Sequence, residues 1–202
     1  VALDEEQAFL RRANIGGEFM SEDDQRRVRE IGARSLPGGA RPVPLLSEEE
    51  VENLSIARGT LTAHERETIN YHIVATINML ESLPYPKHLS RVPEFAGGHH
   101  ERMDGKGYPR GLKREDMSVQ ARVMGIADIF EALTAADRPY KKAMKLSQAL
   151  TILGRMKQDN HIDPDLFDVF IRERVYQSYA DLFLEPDQID AVDETQIPGY
   201  LP

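Results

Sequence analysis

The chain contains no cysteine. That excludes disulfides and thiolate ligands, so any transition metal must be held by histidine, aspartate or glutamate. A cysteine-free composition suits a reducing cytoplasm, and a cytoplasmic location is expected. No apolar run approaches the roughly 18 residues of a membrane-crossing helix, so no membrane span is expected. No basic segment followed by an apolar stretch marks a secretory signal. Positive charge is also in short supply: 25 Lys and Arg stand against 34 Asp and Glu, a formal charge of −9. That balance argues against general binding to a DNA or RNA backbone. There is no internal repeat and no convincing strand pattern. The first residue is Val1 rather than Met, which points to a processed chain or a piece of a longer one.

What is present is helical periodicity. With 202 residues, 41% of them hydrophobic and 29% charged, the chain suits one large domain or one domain plus a small appendage. Short amphipathic helices are predicted over 3–13 and 21–33, with Ser21 and Asp24 as an acidic form of capping box. Residues 35–46 are rich in Pro and Gly and read as a connector. Ser47 is placed to cap a helix to about Leu54. Thr62 and Glu65 have capping-box spacing, and Ile69, Ile73, Ile77 and Leu80 continue with helical spacing until Pro84 and Pro86. A helix is predicted over about 92–103, followed by a long loop over 104–117. Ser118 is placed to cap a helix over about 119–135. Further helices are predicted near 147–158 and 164–178. Residues 185–194 hold five acids and no base, which reads as a solvated acidic tail. The expected class is all-α, a helical bundle with an N-terminal extension.

The stretch HHERMDGKGYP, residues 99–109, is either a capped helix end with surface histidines or a metal centre beside a substrate loop. On a helix, His99 and His100 would point about 100° apart, so they would face one cavity without chelating one ion as an i, i+4 pair does. Asp128 lies in the otherwise apolar run VMGIADIFEALTAA with Glu131 as its only charged companion. A carboxylate buried there needs either an ion-pairing neighbour or a cation. His72 adds a third imidazole on another predicted helix, and helical bundles build metal sites from such inward-facing side chains. His64, His88 and His161 lack such company and read as surface residues. Gly105 and Gly107 allow close backbone approach, Tyr108 offers a ring and a hydroxyl, and Pro109 fixes the exit; a simple helix cap would also use a glycine. Five bases and one acid fall between Arg102 and Arg114, and four bases and no acid between Arg138 and Lys145. In an acidic chain these clusters make either a focused anion site or a solvated charged face.

Taken together, these strings resemble the HD-GYP family of metal-dependent phosphohydrolases. The resemblance is carried by His72 after LTAHE, by HHERMDGKGYP, by ARVMGIADIFEALTAADRPYKKA (121–143), and by QALTILGRMKQ (148–158) leading to IDPDLFDVF (162–170). It implies an HD-type helical bundle with a di- or tri-nuclear centre of iron or manganese, hydrolysing cyclic di-GMP to pGpG or GMP. It implies His72, His99, His100 and Asp128 as metal ligands, with Asp128 and Lys141 in catalysis. Gly107, Tyr108, Pro109, Arg138 and Lys141 would meet substrate. A diguanylate cyclase domain is an implied partner, and a homodimer is allowed. The chain has no His-Asp dipeptide, although the family's defining dyad should precede His72. The expected layout is an extension or insert over 1–58, the later part of the HD-GYP core over 59–180 and the acidic tail over 181–202. An incomplete cage would bind metal weakly and turn over little. The alternative function is a non-catalytic signalling module that binds nucleotide or a cyclase partner.

Overall fold

A computed structural model describes residues 2–35, 43–136 and 143–201. The chain divides into two compact units, residues 1–72 and 73–202, and the division falls inside one unbroken helix. The class is all-α, as the periodicity implied.

The first unit holds α1 (Ala2–Ile15), α2 (Glu22–Gly32), α3 (Glu48–Leu54) and the first half of α4 (Ala63–Glu81). Its helix starts are set by local chemistry. The Ser21 hydroxyl accepts the Asp24 amide at 3.1 Å. Ser47 and Glu50 form a complete capping box, as do Thr62 and Glu65, each satisfying amides that a helix start leaves unpaired. Phe9, Val28 and Ile31 form a small buried core with Leu10, Leu46, Val51 and Leu54 against it. One strand pair corrects the strand-free expectation: β1 (Gly17–Phe19) runs antiparallel to β2 (Arg58–Gly59). The middle of the Pro/Gly connector, 36–42, lies outside the described residues.

The second unit takes the rest of α4, then α5 (Val92–Gly97), α6 (Val119–Thr134), α7 (Leu146–Gln158), α8 (Pro164–Arg172) and α9 (Val175–Phe183). Its core is continuous across α6 to α9. Phe130, Leu146, Leu150, Leu153, Phe167 and Ile171 are almost wholly buried. Side chains of this size each contribute about 1.5–3 kcal/mol by leaving water. Ile73 and Ile77 bury the second half of α4, but Ile69, on the same predicted stripe, is 51% exposed. The helix expected over 164–178 is two helices, because Arg174 takes left-handed angles (φ 49°, ψ 37°) between α8 and α9. The acidic tail is a further correction. Ile197 and Tyr200 join the core, and the Gln188 amide nitrogen donates to the Thr134 carbonyl at 2.7 Å.

Candidate metal centre

The histidine pair does not ride on a helix. α5 ends at Gly97, and residues 98–100 form a turn. The expected helix over 92–103 is cut short where the chain passes under its neighbours: Gly97 lies against Ile77 of α4, and α6 crosses close by. At Gly125 of α6 a Cβ would stand 3.2 Å from the His99 carbonyl oxygen, a tight contact that glycine relieves. Freed from helical spacing, the His99 and His100 rings come together with centroids 4.2 Å apart and planes inclined at 45°.

His72 completes a trio. It sits exposed on α4, one residue before buried Ile73. One ligand atom from each of His72, His99 and His100 lies within 4.8 Å of the other two. Imidazole nitrogens bind an ion such as zinc at about 2.0–2.1 Å, so two ligands of one ion lie up to about 4.2 Å apart. The 4.8 Å bound on the trio exceeds that span only slightly. The ring chemistry also fits. His72 Nδ1 is 2.6 Å from the Ile69 carbonyl oxygen, and His99 Nδ1 is 2.6 Å from that of Ala96. A carbonyl only accepts, so a hydrogen bond there places a proton on Nδ1, the tautomer whose Nε2 can serve as a metal ligand. This is the arrangement by which outer partners orient metal-binding imidazoles. The three residues could therefore hold a metal ion.

Asp128 departs from its expected setting. It is exposed on α6, as are its apolar neighbours Val123 and Met124, and it does not belong to the histidine cluster. The periodic run is buried on its other face, through Ala121, Ile126 and Phe130, so the argument from a buried carboxylate does not hold. Its charge still reaches the loop: burial, and then the negative charge of Asp128, push the Tyr108 hydroxyl above its ordinary pKa.

The loop is tightly built. Tyr108 stacks on His100, with centroids 4.9 Å apart and planes 18° from parallel, and its amide donates to the His100 carbonyl at 3.2 Å. The Tyr108–Pro109 bond is cis. Gly107 lies directly on the Glu101–Arg102 backbone: a Cβ would fall 2.4 Å from the Arg102 nitrogen. Glu101 is only 4% exposed, and its carboxylate accepts the amides of Arg110 at 2.7 Å and Leu112 at 2.9 Å.

The first basic cluster is largely spent on structure. Arg102 pairs with Asp104 at 2.9 Å, Lys106 lies 3.8 Å from the same carboxylate, and Arg110 pairs with Glu81 at 3.0 Å. Arg114 reaches both Asp163 and Asp165. Arg102, followed by the Lys106 amide, holds the Asp104 carboxyl below its usual range. Four of the five bases thus lie within ion-pair distance of acids. Arg138 and Lys141, with most of the second cluster, lie outside the described residues. His161 is partly buried rather than a surface group, and burial, then Arg102, lower its pKa.

Asp163 was not singled out in the sequence. Its side chain is fully buried, caps α8 through the amides of Asp165 and Leu166, and pairs with Arg114 and Arg122. Burial pushes its carboxyl upward, but the Leu166 amide and the two guanidiniums outweigh that and lower it. Asp-Pro at a helix start was the available signal, since Pro164 favours the first helical position.

A family model described as an HD domain matches residues 47–166. That is more than half of the chain, which therefore belongs to the HD domain family, the superfamily whose HD-GYP branch its motifs resemble. Among curated relatives, a 3′3′-cGAMP-specific phosphodiesterase of Vibrio cholerae is 43% identical over 44% of this chain and 21% of its own length. A cyclic di-GMP phosphodiesterase of Pseudomonas aeruginosa is 40% identical over 48% of this chain and 23% of its own. One from Thermotoga maritima is 30% identical over 60% of this chain and 32% of its own. The chain thus spans between a fifth and a third of these relatives. No helix among the described residues is long and apolar enough to cross a membrane.

Proposed function

We propose that this chain is the metal-binding portion of a phosphodiesterase that hydrolyses a cyclic dinucleotide, with cyclic di-GMP as the principal substrate and pGpG or GMP as product. The observation that carries the reading is the trio of His72, His99 and His100, two of them with Nδ1 on a backbone carbonyl, beside a loop that lays an aromatic ring on the third. The named activities of the relatives support the substrate class. When bound, divalent iron or manganese in a di- or tri-nuclear centre supplies a Lewis acid that activates water and neutralises phosphoryl charge. The three imidazoles hold it, with Asp128 as a further ligand and catalytic group brought in from the exposed face of α6. Tyr108, flanked by Gly107 and Pro109, seats a guanine or phosphate at the mouth. Arg138 and Lys141 contact the phosphates, and Lys141 assists the charge that develops there. A cytoplasmic location goes with this reading, as does a diguanylate cyclase domain as partner and a homodimer as assembly.

The test is chromatography of products after incubating the full-length protein with Mn²⁺ or Fe²⁺ and either cyclic di-GMP or 3′3′-cGAMP. Linear dinucleotide is expected from cyclic di-GMP. In Asp128→Ala its release should fall about 100-fold, the scale on which disturbing a metal site acts. Undiminished release from that variant removes Asp128 from the site. Faster turnover of the hybrid nucleotide reassigns the substrate. A second reading is favoured by one observation, the absence of any His-Asp dipeptide in these residues: a signalling module that binds nucleotide or a cyclase partner, for which saturable binding without turnover is the signature.

A further inference from the structure

We infer that Glu101 is a positioning residue that fixes Tyr108 over His100 and so couples the metal-binding turn to the substrate loop; the inference rests on the reading of this site given above. Glu101 follows His100 directly, yet its carboxylate is not part of the histidine cluster. It is 4% exposed and spends both oxygens on the far limb of the loop, Oε1 on the Arg110 amide at 2.7 Å and Oε2 on the Leu112 amide at 2.9 Å. A carboxylate buried in this way is tolerable only because both oxygens accept hydrogen bonds. The two limbs are thereby clamped on either side of residues 107–109. Between the clamped limbs, Gly107 presses on the Glu101–Arg102 backbone, the Tyr108 amide meets the His100 carbonyl at 3.2 Å, and the Tyr108 ring stacks on His100. The Asp104–Lys113 bridge joins the same limbs farther out. One short stretch of chain therefore carries two ligand imidazoles and, on the next residue, the clasp of the loop that covers them. Glu101 is not among the clustered ligand residues; it acts through Tyr108.

The experiment uses the whole chain with Glu101→Gln and Glu101→Asp. A glutamine can accept at its oxygen but presents an NH₂ to the second amide, so one clasp is lost. An aspartate keeps two acceptors on a shorter stem. Amide exchange at Arg110 and Leu112 should accelerate about tenfold or more in Glu101→Gln, the scale of one lost charge-assisted hydrogen bond. The Tyr108 and His100 ring resonances should lose their mutual ring-current shifts. Both effects should be smaller in Glu101→Asp, and the Zn²⁺ affinity measured by calorimetry should stay within threefold of the unsubstituted chain. Unchanged exchange and ring shifts in Glu101→Gln overturn the inference. So does an affinity loss matching that of His100→Ala, which would make Glu101 part of the metal site. If Glu101→Gln fails to fold, Glu101→Asp carries the test: ring shifts identical to the unsubstituted chain, with exchange at Arg110 and Leu112 fast, overturn the coupling. Should Zn²⁺ not bind the unsubstituted chain at all, the metal reading fails, while the exchange and ring shifts still decide the role of Glu101.

Discussion

A methyl group at residue 107 would fall 2.4 Å from the Arg102 nitrogen and 2.5 Å from the Glu101 Cα, both backbone atoms that cannot rotate away. Gly107→Ala must therefore push the loop off the metal-binding turn. It should destabilise the second unit by about 1–3 kcal/mol, as overpacking of a tight contact does, and break the Tyr108–His100 stack. Urea unfolding and aromatic NMR measure the two effects; a variant with native stability and an intact stack contradicts the close approach. For the trio, His99→Ala removes one imidazole and should weaken Zn²⁺ binding by more than about tenfold, read by calorimetry, since even partners behind the ligands matter on that scale. The three histidines could be picked out from the sequence because their residue type restricts their use in a cysteine-free chain. The apolar run around Asp128 predicts a burial that the residue does not have. Periodicity shows that a helix has an apolar face and does not show whether that face is covered: Val123 and Met124 lie beside Asp128 and are 47% and 40% exposed. Glu101 is not legible in the sequence because its partners are main-chain amides nine and eleven residues away, which no side-chain pattern records.

Helix starts were read well from sequence because they are local. Ser21, Ser47, Thr62 and Ser118 all bond the amide three residues on. Helix ends set by other elements were not: α5 stops where Ile77 and α6 close in on it, and nothing within 92–103 announces that. The element on which most depends is the start of α8. Asp163 caps it while pairing with Arg122 of α6 and with Arg114 at the end of the loop, so one buried carboxylate ties together three parts of the second unit. Its pKa is lowered in the folded chain. The ionised form is thus the one the fold prefers, and its contribution is complete above the ordinary carboxylate pKa of about 3.9. That contribution fades as pH falls through the lower folded value. Asp163→Asn should cost about 3 kcal/mol at pH 7, since it strips a buried charge partner from two arginines. The gap between variant and parent should narrow below about pH 4. Chemical unfolding at a series of pH values checks this, and a gap of constant size from neutral to strongly acid solution contradicts it.

At the scale of the whole molecule, the segment after α9 is where composition misled most. Five acids between 185 and 194 describe a solvated tail on charge alone, but charge density says nothing about what the sparse apolar residues among them meet. Here Ile197 and Tyr200 are 5% and 7% exposed within the main core. The acids themselves are put to use. Asp190 accepts the amide and hydroxyl of Ser147 at the start of α7, at 2.9 and 2.6 Å. Glu194 accepts the Tyr176 hydroxyl at 2.8 Å, and burial together with that carboxylate pushes the tyrosine up to about 12. Gln188 donates to the Thr134 carbonyl and accepts the Leu146 amide, bridging the end of α6 to the start of α7. Removing residues 185–202 uncovers the core surface under two large side chains and orphans these polar groups. The cost is on the order of 6 kcal/mol, comparable with the whole stability of many domains, about 5–15 kcal/mol. The truncated chain should lose cooperative unfolding of its second unit and the dispersed methyl resonances of Leu150, Leu153 and Ile171, while the resonances of Val28 and Ile31 in the first unit persist. A truncated chain whose second unit melts within about 2 °C of the parent would return these residues to the status of a tail, since a loss of even 1 kcal/mol moves the midpoint of a domain this size by more than that.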